Sequence, residues 1–290
     1  EGKPITSGVS LDLISGLNLV GVPYPGSLSA KSTLASITNG QVLTRWWSEL
    51  QIWSSVVSVP EGPIIGQDFE LASSMGCFIQ VSQDSSWTPS QPATAPYRQA
   101  EVRPSVMALS QVTAIQNLTV GNLSAGSASL AFQTDGVGRS RVRWRSSEDG
   151  WQTSIPQISN QHLFQLEGLQ PQQQYQLQAE VVDAEGQKLQ SRVVGFQTAR
   201  VGGASPKTVY GQVLSIDGEA KAQQLVMISM AECSPMLAET DSRGFWSLNL
   251  GNLKAESGQS YHCQSGETVG LKLLGDTTIH QQTLTDQGFQ

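Results

Sequence analysis

The chain has 290 residues, of which only 14% are charged, and its formal net charge is −7. An acidic chain is repelled by a phosphate backbone, so this balance argues against nucleic acids as partners. The sequence has no apolar run near the roughly 20 residues that a membrane-spanning helix needs, so it predicts no membrane-spanning segment. A polar but weakly charged composition is typical of extracellular β-proteins.

The beginning of the chain is compatible with two cellular locations. Residues 1–10 carry proline, glycine and serine and little apolar surface to bury, as in a frayed terminus. Glu1 is not followed by the basic and hydrophobic stretches of a signal peptide. Either the chain is cytosolic or a signal peptide has already been removed. We expect the second, with an extracellular or cell-surface location, because linked modules of the kind described below are typical of secreted proteins.

Residues 1–88 predict a small N-terminal module, α+β or mostly β, with one short helix. Residues 17–22 form an apolar strand, and Ser27 or Ser29 can cap a helix that ends at Asn39-Gly40. Three strand-like runs follow, at residues 42–47, 51–59 and 77–81. The order Gly-x-Asn-x-Val-Gly-x-Pro, a strand with tryptophans, then Gly-x-Phe resembles small modules of large bacterial surface proteins.

Three tryptophans of this module, Trp46, Trp47 and Trp87, are candidates for stacking on a sugar or contacting a partner. Trp46 and Trp47 are adjacent on one predicted strand and therefore point to opposite faces. At least one of them should be exposed or should contact a partner. Packing within the core or between domains is the alternative use of all three side chains.

Residues 89–107 predict an extended linker between domains. Prolines at positions 89, 92, 96 and 104 disfavour both a helix and a central strand. The first domain boundary is therefore expected in this segment.

The middle of the chain contains a strand with one buried and one solvated face. Apolar residues occupy every second position from Tyr175 to Val181, with glutamines and Glu180 between them. Pro171 precedes Tyr175 by four residues, so the tyrosine hydroxyl can bond to backbone at the corner before the strand. The order Gly-Leu-x-Pro, three residues, then Tyr resembles the tyrosine corner of fibronectin type III modules. This resemblance implies a β-sandwich over residues 108–199.

Four arginines alternate along another predicted strand of this module: Arg139, Arg141, Arg143 and Arg145. The alternation places their guanidinium groups on one face at intervals of roughly 7 Å. One interpretation is a docking stripe for an acidic neighbour or an anionic polymer. The other is a solvated face, balanced by Glu180 and the glutamines of an adjacent strand.

Residues 200–207 predict a second linker, and residues 208–290 predict a third module. The series Tyr-Gly-Gln-Val from Tyr210, Asp-Gly from Asp217, and Thr-Asp-x-x-Gly-Phe-Trp from Thr240 resembles transthyretin-like modules, also called carboxypeptidase regulatory-like domains. The resemblance implies a seven-stranded sandwich without catalytic activity. The last residues, 275–290, can form the final strand of this sandwich or pair with an edge on another copy.

The cysteines predict one disulfide. Cys233 and Cys263 share the third module, and a bond between them would contribute about 3–4 kcal/mol in the chain-entropy model. Cys77 lies in an apolar strand and is expected to be a buried thiol. The alternative is that all three cysteines are reduced.

These patterns predict a mostly β protein of tandem β-sandwich modules behind the small N-terminal module. No nucleophile elbow, phosphate loop or converging histidines occur in the sequence, so we expect no catalytic residue, cofactor or metal. The expected function is structural: a self-assembling subunit of a surface fibre, sheath or adhesive layer. Its expected partners are other copies, through head-to-tail contacts or strand addition, and a surface polysaccharide. The alternative is a set of carbohydrate-binding accessory modules of a secreted enzyme.

Overall fold

The computed structural model describes residues 9–24, 26–73, 75–90, 107–285 and 288–289. The chain divides into two compact units, residues 1–47 with 53–102 and residues 48–52 with 103–290. Both units consist mainly of β-strands, as the sequence predicted. Across the described ranges, no helix has the length and apolar character needed to cross a membrane. Most of the predicted 89–107 linker lies outside the described residues.

The first unit contains nine strands and one helix among its described residues. They are β1 (Leu11–Leu13), β2 (Gly16–Gly21), β3 (Leu28–Ser29), α1 (Ala30–Ser36), β4 (Gly40–Trp47), β5 (Ile52–Ser58), β6 (Ile64–Ile65), β7 (Glu70–Leu71), β8 (Gly76–Val81) and β9 (Ser85–Trp87). The main sheet has the order β2-β8-β4-β5-β6, and β1 pairs with β9 while β3 pairs with β7. The strand β2 therefore lies at an edge of the main sheet.

The period-two pattern of β8 explains how the main sheet packs. Cys77, Ile79 and Val81 are buried on the inner face, whereas Phe78 and Gln80 are only partly covered on the outer face. The inner face shares its core with Leu34 of α1. The helix begins at the predicted cap, because the Ser29 hydroxyl accepts a hydrogen bond from the Ser32 N–H at 3.2 Å.

The second unit begins with a β-sandwich of seven strands among its described residues. They are β10 (Ile115–Gly121), β11 (Ser127–Ser146), β12 (Gln152–Thr153), β13 (Gln157–Glu167), β14 (Gln174–Val182), β15 (Lys188–Gln190) and β16 (Val194–Gln197). The long strand β11 pairs with β10 and β13 along its first half and mainly with β12 and β14 along its second. The strand is continuous over all 20 residues, with a register shift against β13 between Gln133 and Gly138.

The corner before β14 has the predicted geometry. The Tyr175 hydroxyl accepts a hydrogen bond from the Gln170 N–H at 2.9 Å. The Tyr175 ring stacks on Phe196 inside the core, with ring centroids 5.5 Å apart. The hydroxyl therefore satisfies a backbone donor at the corner while the ring contributes apolar area to the core.

A second sandwich follows in the same unit. Its elements are β17 (Thr208–Gln212), β18 (Leu225–Ser229), β19 (Met236–Glu239), β20 (Phe245–Asn249), a 3₁₀ turn (Leu250–Asn252), β21 (Thr268–Leu273), β22 (His280–Thr285) and β23 (Gly288–Phe289). One sheet is β17-β20 and the other has the order β19-β18-β21-β22-β23. Because β22 pairs with β21 from Thr268↔Thr283 to Leu271↔His280, the end of the chain completes its own sandwich.

The two sandwiches of the second unit are packed directly against each other. Ala131 of the first shares a buried cluster with Leu225, Leu237 and Leu274 of the second. The Asn122 side chain donates to the Leu237 carbonyl and accepts from the Leu237 N–H, both at 2.8 Å. This paired amide contact continues the hydrogen bonding of a strand across the interface.

The segment expected as the second linker is held along the second sandwich. Ala204 N–H donates to the Gly251 carbonyl at 3.1 Å. The Gly202 carbonyl accepts from the buried Lys254 ammonium, which also donates to Ser260. Burial lowers the pKa of Lys254 to about 8, because the charged form loses its hydration.

Candidate functional site

Three of the four arginines of β11 lie opposite polar residues of β14, and Arg139 lies opposite Val182. Arg141 faces Glu180, Arg143 faces Gln178, and Arg145 faces Gln176. This register confirms the expected placement of Glu180 and the glutamines beside the arginine row. We name this surface the arginine face: Arg139, Arg141, Arg143 and Arg145 with Gln176, Gln178, Glu180 and Trp151.

The glutamines hold two of the guanidinium groups. The Nε and Nη2 groups of Arg143 donate to Gln178 Oε1 at 3.1 and 2.5 Å. Those of Arg145 donate to Gln176 Oε1 at 3.2 and 3.0 Å. Both guanidinium carbons also lie over the Trp151 ring, at 4.6 and 4.8 Å from its centroid. Amide contacts and ring stacking together restrict the rotation of these side chains.

Glu180 is the carboxylate of the arginine face. Its Oε2 accepts from Arg141 Nε at 2.7 Å, and its Oε1 lies 3.5 Å from Arg143 Nε. Burial opposes ionisation of Glu180, but hydrogen bonds from Arg141 and Gln190 outweigh it, so the pKa lies below its ordinary value. Glu180 is therefore ionised at neutral pH, and one negative charge faces four positive charges.

A second exposed surface lies on the outer face of the main sheet in the first unit. Trp46 packs on Trp53 with ring centroids 4.9 Å apart, and Trp53 packs edge-on against Phe78 at 5.5 Å. Leu19 is the strand neighbour of Phe78, and both Leu17 and Leu19 are exposed, at 50% and 71%. We name this surface, made of Leu17, Leu19, Trp46, Trp53 and Phe78, the aromatic face.

The other two candidate tryptophans do not belong to the aromatic face. Trp47 lies on the opposite side of β4, where it meets Phe69 edge-on and is covered by the Arg45 guanidinium at 3.9 Å. The expectation that Trp46 and Trp47 diverge is thus confirmed. Trp87, a proposed platform, is only 2% exposed and donates to Ser36 in the core. A ring so deeply buried cannot stack on a ligand, so this candidate was wrong.

The predicted disulfide is absent, since Cys233 and Cys263 are both free thiols. They pack at the border of one hydrophobic cluster, where Cys263 Sγ contacts Met230 Sδ at 4.0 Å. Burial raises the pKa of Cys263 to about 11, with Glu267 adding to the effect, so this thiol is protonated at neutral pH. Sharing a module gave no information on whether the two sulfur atoms bond. The expectation for Cys77 is confirmed: it is a free thiol, 1% exposed.

His162 is a buried polar residue at the centre of the first sandwich. It is 0% exposed, and its Nδ1 lies 2.6 Å from the Ser140 hydroxyl. Its ring stacks on Phe132, with centroids 4.6 Å apart. Burial lowers the pKa of His162 to about 4, so the imidazole is neutral at pH 7. Within the described ranges, no three histidine, cysteine or acidic side chains form a group able to hold a metal ion.

Sequence reasoning missed several residues that form these surfaces. Trp151 lies outside the arginine strand, and its stacking on two arginines has no local sequence signal. Leu17 and Leu19 were predicted to lie in an apolar strand, but the prediction did not say which face of the strand they occupy. The alternation of Leu17, Asn18 and Leu19 could have indicated that both leucines share one side of that strand.

Comparisons with known proteins leave the family open. No protein-family model matches the chain, and no curated protein matches it. Among solved structures, it is similar to a β-1,2-glucanase from Parabacteroides distasonis at 12% identity, with a TM-score of 0.24, over 66% of this chain and 32% of that one. For the glycoside hydrolase domain of Endo-D from Streptococcus pneumoniae R6 the values are 11%, 0.21, 65% and 32%. The chain thus spans less than two thirds of the length of either structure, and similarity this low supports no conclusion on fold or activity.

Proposed function

We propose that this chain is a non-catalytic, extracellular structural protein that associates with copies of itself through the aromatic face and the adjoining edge of β2. The observation that supports this proposal is an apolar edge strand. In the described part of the chain, β2 pairs with β8 only, and it carries neither a charged residue nor a proline. Soluble proteins commonly protect exposed edges with such residues, so an edge without them is a template for another strand.

The side chains beside this edge favour the same partner. A strand added to β2 from another copy would supply main-chain hydrogen bonds and cover Leu17 and Leu19. Removing one leucine side chain from water contributes about 1.5–3 kcal/mol. The aromatic rings behind the leucines extend the apolar area that an added strand would shield.

The way in which copies pair determines the assembly. Two β2 edges pairing with each other would close a dimer, whereas β2 pairing with a different edge of the next copy would continue into a filament. We propose the filament, which would serve as a surface fibre, sheath or adhesive layer. The C-terminal strand is not needed for this contact, because residues 280–285 are paired within their own sheet. Residues 1–8, which belong to the terminus described in the sequence analysis, lie outside the described residues.

Sedimentation velocity and electron microscopy of the full chain test the proposal. We expect concentration-dependent association and filaments, and we expect Leu19→Lys to prevent both. Ile216→Lys is the matched control, since Ile216 is a fully exposed aliphatic residue of the second unit. A wild-type chain that stays monomeric at the highest soluble concentration would refute the proposal, and so would unchanged assembly of Leu19→Lys.

The aromatic face also supports a second candidate, binding of a neutral carbohydrate. The paired amides of Gln41 and Gln80, 3.3 Å apart and partly exposed, lie on the same sheet as the rings. Aromatic rings with nearby polar groups suit the mixed apolar and hydroxylated surface of a sugar. A glycan panel distinguishes the candidates: sugar binding predicts retention of a neutral oligosaccharide that Trp46→Ala abolishes, with the protein monomeric throughout.

A further inference from the structure

The arginine face carries more positive charge than its one carboxylate, Glu180, neutralises, since Glu180 pairs with Arg141 and lies 3.5 Å from Arg143. Arg143 and Arg145 each donate two N–H groups to a glutamine oxygen, which is a neutral acceptor. Arg141 instead donates to the carboxylate of Glu180. The glutamines therefore hold these two guanidinium groups in place. Glutamates at the same positions would hold them as well, but would also cancel their charge.

The free ends of these two guanidinium groups are suited to a carboxylate. Each guanidinium has five N–H donors, and two are used by the glutamine contact. The remaining donors of Arg143 and Arg145 have no partner among the described residues. Their planar fork matches the two oxygens of a carboxylate, and stacking on Trp151 reduces the entropy that binding would cost.

The charges around this pair are mainly positive. Arg139 lies on the same side of β11 as Arg143, four positions before it. Lys188 lies opposite Val182 on the neighbouring β15. Arg139 and Lys188 are both exposed. Among the described residues in the rows of β11, β14 and β15, Glu180 is the single acidic group on this face. Glu148 and Asp149 follow in the turn after β11, where Asp149 accepts from Ser146. The paired residues of β11, β14 and β15 therefore form a cationic surface, and the turn after β11 bounds it at one end.

The sheet geometry limits what kind of anion can bind. The arginine half of β11 is paired with β14 on one side and with β12 and β13 on the other. An acidic peptide cannot add to it as a strand, so only side-chain contacts are available. Cations repeated at intervals of roughly 7 Å suit a linear polymer with regularly repeated carboxylates. Hydroxyl groups of a sugar chain can accept hydrogen bonds from the N–H groups that the carboxylates leave unused.

We propose that the arginine face binds a linear carboxylated polysaccharide, with Arg143 and Arg145 as the central contacts. This activity is independent of self-association, because it uses a different surface on the other unit. Polymer binding can therefore succeed or fail whether or not the chain forms filaments.

Isothermal titration of the full chain with polygalacturonate tests this proposal, with fully methyl-esterified polygalacturonate as the uncharged control. The decisive variant is Gln176→Glu with Gln178→Glu, which keeps the arginines and their acceptors but supplies the missing negative charges. We expect at least about tenfold weaker binding for this variant, since its ligand must compete with two fixed carboxylates. Arg243→Gln, which removes an exposed arginine of the second sandwich, should bind like wild type.

Each result decides the question. Binding of polygalacturonate but not of its ester, lost in the double glutamate variant and retained in Arg243→Gln, supports the proposal. Equal binding of polygalacturonate and its ester overturns it, as does unchanged affinity in the double variant. Tighter binding of poly-glutamate than of polygalacturonate assigns the surface to an acidic protein instead. Thermal unfolding of the double variant shows that its loss of binding is not a loss of folding.

Discussion

The aromatic face and the arginine face are both outer faces of β-sheets, yet they offer opposite kinds of contact. The aromatic face adjoins β2, an edge strand, and presents exposed Leu17 and Leu19. The arginine face lies on strands that are paired on both sides, and it presents fixed cations. Strand pairing, as much as residue type, therefore determines whether a partner can use main-chain hydrogen bonds or must rely on side chains.

The largest expected effect is on stability, and it differs between a buried tryptophan of the first unit and a tryptophan of the aromatic face. We expect Trp87→Ala to lower the free energy of unfolding by about 3–5 kcal/mol, because it empties a fully buried site. Trp46→Ala should cost about 1 kcal/mol, the scale of one aromatic pair at a partly covered site. Urea unfolding of both variants measures the difference. Equal losses would show that Trp46 belongs to the core, and the aromatic face would no longer be a surface.

The next effect is a loss of stability at low pH, caused by His162 inside the sandwich that carries the arginine face. The pKa of His162 is lowered from 6.5 to about 4 in the folded state, so the unfolded chain binds a proton that the native chain does not. Stability is fully present above pH 6.5 and should fall by about 3 kcal/mol as the pH drops to about 4.

Unfolding followed across this range should show that loss, and His262→Gln, at an exposed histidine, should leave it unchanged. An imidazole signal of His162 that titrates near pH 6.5 in the folded protein would contradict the assignment. Binding to the arginine face is best measured above pH 6.5, where His162 does not weaken the sandwich.

Salt should act differently on the two faces. Raising the ionic strength from about 0.1 M to about 1 M shortens the Debye length from about 10 Å to about 3 Å. Polygalacturonate affinity should then fall by about tenfold, because counterions compete for the arginines. Self-association through the aromatic face should be unchanged or stronger, since burial of apolar surface is not screened. Parallel changes in both equilibria, measured by titration and sedimentation, would remove the distinction between the faces.

The smallest effect comes from the single carboxylate of the arginine face. Glu180→Gln removes the negative charge opposite Arg141, so polygalacturonate should bind about two- to threefold more tightly. Stability should change by less than about 1 kcal/mol, because Arg141 is half exposed and its ion pair is partly hydrated. Weaker polymer binding by this variant would mean that Glu180 orients the arginines for the ligand and does not compete with it.

The sequence was informative wherever a property depended on neighbouring positions. Alternation from Tyr175 to Val181 predicted a strand with one buried face, and the same rule placed four arginines on one side of β11. The proline and tyrosine of the corner predicted the hydrogen bond to Gln170. Sequence reasoning could not distinguish Trp87, which is buried, from Trp46, which is partly exposed, because the burial of Trp87 depends on the pairing of β9 with the distant strand β1.

Local spacing was sufficient to predict the mostly β class and the core-facing side of β14, because the two-residue period of a strand is a local property. Three further properties became visible in the folded chain alone: Cys233 and Cys263 are thiols, Leu237 packs in one cluster with Ala131, and Trp151 stacks on the arginines. The same holds for the amide contact between Arg143 and Gln178, which are 35 positions apart. Such contacts depend on the register and packing of strands that are distant along the chain, and no local period encodes that arrangement.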